Sequence, residues 1–133
     1  MREYARQQTA GLLQELAAQI KRAAREESAD AIHDLRVAVR RLSRCLRSFS
    51  QFYPGRGWKK ARAQLSELLH TAGAVRDRDI ALELLAEAGI SAPAPIVTKL
   101  EVERAKARRE LALEIRRWHQ RDFTGKWRRQ LEL

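Results

Sequence analysis

The chain has 133 residues, 44% of them hydrophobic and 33% charged, and its 27 Lys and Arg against 17 Asp and Glu give a formal charge of +10. That length fits a single domain, residues 1–133, with one core. No run approaches the ~20 apolar residues that a membrane span needs, and MREYARQQTAGLLQEL lacks the apolar segment and cleavage pattern of a secretory signal, so a cytoplasmic location and no membrane partner are expected.

A charge of this size repels itself in the compact state unless a counter-charge is bound. By charge alone the candidate partners are nucleic acid, inorganic polyphosphate and an anionic membrane surface. Cys45 is the single cysteine, which excludes an intrachain disulfide and suits a reducing compartment. Its place beside an apolar helical stripe predicts a small buried thiol.

Ala, Leu, Glu, Arg and Gln dominate, all good helix formers, and no strand pattern appears. The first predicted helix runs from about Glu3 to Arg25, carrying Leu12, Leu13, Leu16 and Ile20. The second begins near Asp30 as N-cap and continues to about Tyr53, where Pro54 and Gly55 break it. A third is predicted from Trp58 to Ala72, with Gly73 as its C′ glycine, and a fourth from Asp77 to Ala88, ended by Gly89. After the linker Ser91–Pro95, a fifth runs from Pro95 to His119, and Phe123–Leu131 forms a sixth short one. Short connections between long amphipathic helices predict an all-α fold, an antiparallel bundle of five to six helices.

The second helix carries two patterns at once. Ile32, Leu35, Val39, Leu42, Leu46, Phe49 and Tyr53 alternate in steps of three and four, which is one face of an α-helix. His33, Arg36, Arg40, Arg44 and Arg47 run between them within an arc of roughly 80°, a cationic rail about 20 Å long. From Leu35 to Ser66 there are nine Lys or Arg and no Asp or Glu. Ordinary solvated helices mix signs at i,i+4 spacing, whereas Arg36, Arg40 and Arg44 repel one another. A bound anion or a neighbouring helix must relieve that repulsion, and arginine is the better fork for phosphate.

Further cations extend the pattern. Lys59, Arg62, Ser66 and His70 share a flank of the third helix, which widens the rail into a groove if the two helices pack side by side. Arg104 falls within the apolar arc of Val97, Leu100, Ala107, Leu111 and Trp118, and so must find a carboxylate or face a wet, anion-accessible cleft. In GAVRDRD, Asp77 and Asp79 are expected in the first turn of a helix. They serve there as caps bonded to an arginine of the second helix, or as carboxylates holding Mg²⁺ for phosphoryl chemistry. Arg41 lies off the rail and is a candidate partner for Asp77. The three histidines, His33, His70 and His119, lack metal-ligand spacing, and no glycine-rich phosphate loop or Ser–His–Asp set is present. No metal, cofactor or enzymatic activity is expected.

HDLRVAVRRLSRCLRSF together with GAVRDRD resembles the CHAD domain, a family named for conserved histidines on a helical fold. The resemblance rests on His33, Arg36, Arg40 and Arg41 in the first segment and on Gly73, Arg76 and Asp77 in the second, with Arg104 and Arg108 on the long helix that follows. It covers about residues 30 to 120. It implies a helical bundle that binds inorganic polyphosphate in a basic groove, in some members at polyphosphate granules and in others fused to a triphosphatase-like domain. Together with the rail and the flank of the third helix, it gives a candidate site of His33, Arg36, Arg40, Arg41, Arg44, Arg47, Lys59, Arg62, Arg76, Arg104 and Arg108. The usual domain has two similar halves. This chain looks like the N-terminal half of that two-repeat architecture, with no second histidine motif and with Ser66 where the family often has a basic residue. A second copy of the chain, in a homodimer, would then complete the groove.

Overall fold

The computed structural model describes residues 1–133 and contains five α-helices and no strand. They are α1 (Arg2–Arg25), α2 (Ala29–Ser48), α3 (Gly55–Glu87), α4 (Pro95–Gln120) and α5 (Phe123–Gln130). A turn of 3₁₀ helix, Ser50–Phe52, lies between α2 and α3. Successive long helices pack against each other, and α4 returns to α1. The result is an antiparallel four-helix bundle in which α2 and α4 are diagonal. Helix α5 packs on α1 and α3 at one end.

The apolar periodicity decides which faces turn inward. Leu13, Leu16 and Ile20 of α1 meet Leu35, Val39, Leu42 and Leu46 of α2, Leu65, Leu68 and Val75 of α3, and Leu111 and Ile115 of α4 in one core. Trp127 of α5 is buried there with Leu131. Each such large side chain contributes about 1.5–3 kcal/mol on burial, so the packed stripes and not helix propensity hold the bundle. The approach of α5 needs Gly57: a Cβ there would lie 2.5 Å from the Gln130 carbonyl oxygen.

Helix α2 starts one residue before the expected Asp30. Ser28 is its N-cap, its hydroxyl accepting from the Ala31 N–H at 3.1 Å, and Asp30 sits in the first turn. The helix stops at Ser48, short of Tyr53, because the chain tightens into the 3₁₀ turn before Pro54. Tyr53 still reaches the core and is buried, with its hydroxyl donating to the Ala5 carbonyl at 3.3 Å and paired with Thr9. Cys45 is a buried free thiol, 3.4 Å from the Thr9 hydroxyl.

The largest departure concerns Gly73. The expected third and fourth helices are one continuous helix of 33 residues, Gly55–Glu87. A glycine costs a helix interior about 1 kcal/mol. The stripe Ala61, Leu65, Leu68, Ala72, Val75 runs through it without a change of phase and is buried throughout, so burial on both sides outweighs that cost. The helix ends instead at Gly89, whose φ of 79° is the left-handed conformation of a C′ glycine.

Candidate functional site

The basic stretch of α2 keeps its exposed face because the opposite face is consumed by the core. Asp34, the last carboxylate of the helix, is taken by Arg22 of α1, so the one acid of α2 outside an ion pair is Asp30, in the first turn at the far end of the row. Arg41 also turns to that side, where it lines a small concavity with Glu15, Gln19 and Asp34 between α1 and α2. It does not pair with Asp77.

On the other flank α2 meets α3. Arg36, half-buried, feels Arg40 of its own helix and Arg76 and Asp77 of α3. Burial first, then repulsion from Arg40 and Arg76, lowers its affinity for its proton below the ordinary arginine value, while the Asp77 carboxylate opposes them. It stays charged at any physiological pH. The helices are antiparallel, so Arg47, eleven residues nearer the connection, lies opposite the turn of α3 that carries Arg62. The Arg62 guanidinium stands 5.6 Å over the Trp58 ring, which steers it along the helix. The Nε of Arg36 and that of Arg62 are both buried without a hydrogen-bond partner. Such orphaned donors are costly, and two of the three buried unpaired side-chain atoms in the chain fall on this one face.

None of the nine Lys and Arg residues between Leu35 and Ser66 forms an ion pair, nor does Arg76. His33, Arg40, Arg44, Arg47 and Lys59 are exposed along the same open surface. The cations thus form a two-helix strip, about 20 Å long on α2, rather than a groove walled by several helices. The larger concavities lie elsewhere, about 490 Å³ between α3, α4 and α5 and about 340 Å³ between α1 and α4.

Arg104 and Arg108 are not part of that strip. They project from α4, diagonal to α2, and share the carboxylate of Asp79, at 3.6 and 3.9 Å. Nearby, Arg78 pairs with Glu103 at 3.6 Å. Of the two outcomes open to Arg104, the carboxylate partner is the one realised. Asp77 and Asp79 are mid-helix, so neither caps a helix, and Asp79 bonds α4 instead of α2. Asp79 is the residue whose role the sequence reading missed. The signal was present: Asp79 lies four residues after Val75 and seven after Ala72, on the inward stripe. Two guanidiniums on one carboxylate leave a net positive charge three residues beyond Arg76.

No curated protein and no solved structure matches the chain. The family model of the CHAD domain matches residues 7–132. That match spans nearly the whole bundle, and the histidine–arginine helix and the Arg76–Asp77 turn of α3 both lie inside it. The chain belongs to the CHAD domain family.

Proposed function

We propose that this chain binds inorganic polyphosphate without catalysing a reaction on it, along the strip formed by α2 and the facing flank of α3. The CHAD domain is associated in general with polyphosphate binding. The observation that carries the reading for this chain is the set of unpaired guanidiniums with orphaned Nε donors, Arg36 and Arg62, on adjacent antiparallel helices. A flexible chain of phosphates supplies what that face lacks: closely spaced negative charge and acceptor oxygens. His33, Arg36, Arg40, Arg44 and Arg47 form one row, and Lys59, Arg62 and Arg76 the other. Arg104 and Arg108 contribute through the excess charge they keep beside Asp79. Arg41 faces away and makes no contact in this reading.

The strip has no opposite wall within one chain. A second copy facing it supplies one, so a homodimer forms around the polymer. Light scattering that finds a monomer bound tightly to long-chain polyphosphate removes this part of the proposal. No helix is long and apolar enough to cross a membrane, and in this reading the protein works in the cytoplasm, at polyphosphate granules.

The test is the double substitution Arg36→Glu with Arg40→Glu. Helicity should persist, since Arg40 is exposed and Arg36 half-buried and neither belongs to the apolar core, and polyphosphate binding should vanish. Wild-type affinity should also fall steeply with salt as bound counterions are released, an argument developed for nucleic acids. Unchanged affinity in the double variant defeats the site. Competition at fixed salt separates the alternatives: DNA displacing polyphosphate at equal charge concentration favours a nucleic-acid binder. Phosphate release from polyphosphate with Mg²⁺ present favours an enzyme that uses Asp77 and Asp79.

A further inference from the structure

The cleft between α3, α4 and α5 lies on the flank of α3 opposite Arg62 and plays no part in the polyphosphate reading. Its volume, about 490 Å³, is that of a small-molecule site. Glu114 of α4 lines it and is 9% exposed, yet its carboxylate forms no ion pair and no hydrogen bond. Two other acids line the cleft and both are exposed: Glu67, and Asp122, whose Oδ1 accepts from the Gly125 N–H and the Thr124 hydroxyl at the start of α5. The Glu114 oxygens stay accessible from the cleft, so this carboxylate is an acceptor free to take a ligand's donors.

The surroundings narrow the donor. Trp118, half-exposed, walls the cleft and is braced edge-on by Phe123 and Trp127, with ring centroids at 5.0 and 5.6 Å. A braced indole is a platform for a planar ring. Around the mouth stand Arg117, Arg121, Lys126 and Arg129, all exposed and none in an ion pair. The four cations outnumber the exposed acids Glu67 and Asp122 and disfavour a simple organic ammonium, while the Glu114 carboxylate repels a bare phosphate. The ligand must combine an anionic tail with a planar head that donates hydrogen bonds.

We infer that this cleft binds a free guanine nucleotide. The carboxylate of Glu114 accepts from two adjacent donors, as its two oxygens allow. Guanine presents such a pair on one edge, the N1–H and the 2-amino group. Adenine and cytosine put an acceptor beside their amino group, and uracil flanks its N–H with carbonyls, so each leaves one Glu114 oxygen facing a lone pair. Trp118 packs on the base, and the phosphates reach the arginines at the mouth.

Calorimetric titration with GDP, inosine diphosphate and ADP tests this. GDP should bind tightest, inosine diphosphate, which lacks the 2-amino group, more weakly, and ADP weakest, each step roughly tenfold for one lost charge-assisted hydrogen bond. In Glu114→Gln the order should collapse, with GDP falling to the ADP level and polyphosphate affinity unchanged. Equal affinity for GDP and ADP, no binding of either, or a guanine preference that survives Glu114→Gln overturns the inference. If that variant does not fold, the three ligands on the wild-type protein still decide the matter.

Discussion

Arg36→Met should make the ligand-free protein more stable and the polyphosphate complex weaker. Arg36 is half-buried, with its Nε unpaired and Arg40 and Arg76 close by. An orphaned buried donor costs about 1–3 kcal/mol. Each like-charged neighbour adds a few tenths of a kcal/mol, and Asp77 returns part of the total. Methionine keeps the helix propensity and fills the volume of the arginine stem. The net gain should be roughly 1 kcal/mol, which for a domain of this size raises Tm by about 3–5 °C. On the binding side, loss of one guanidinium–phosphate contact costs about 1.5–3 kcal/mol, or roughly 10–150-fold in Kd. It also flattens the salt dependence by about one contact's share. Thermal unfolding with and without excess polyphosphate reads both, because a ligand that binds only the folded state raises Tm in proportion to its occupancy. A lower ligand-free Tm would show that Arg36 is a structural residue, and the argument from its orphaned donor would be refuted.

Two other perturbations test the fold beneath the site. Gly73→Ala should stabilise the protein by about 0.5–1 kcal/mol, since a Cβ there meets nothing within 4 Å in a continuous helix; chemical denaturation showing a loss would place Gly73 in a turn. Tyr53→Phe should cost about 1–2 kcal/mol by removing the buried bonds to Thr9 and to the Ala5 carbonyl. Burial raises the Tyr53 phenol above its ordinary value of 10.0. The folded protein therefore holds that proton after the unfolded chain has lost it. The stability this contributes is complete below about pH 10 and disappears as pH rises through the folded value. Denaturation midpoints on either side of about pH 10 should fall less in Tyr53→Phe than in the wild type; an equal fall removes the assignment.

The helical stripes, the cationic row of α2 and the family were all legible along the chain, because a period near 3.6 sorts residues onto faces before any partner is present. His33, Arg36, Arg40, Arg44 and Arg47 needed only helical phase to be grouped. Local signals were weaker guides where tertiary burial opposed them. Gly73 reads as a helix stop but lies inside α3, because Ala72 and Val75 are held in the core on either side of it.

Neighbour relations were beyond the sequence. Periodicity says which way a side chain points from its own axis and not which helix stands there. Packing order alone put Arg62 and Arg76 beside the α2 row, sent Arg41 toward α1, and tied Arg104 and Arg108 to Asp79 across the bundle from α2. It likewise left Glu114 lining a cleft beside Trp118 with no ion-pair partner. The chain by itself determined that it would be helical and where its charge would lie. Only the closing of four helices around one core decided which of those charges are neutralised and which remain free.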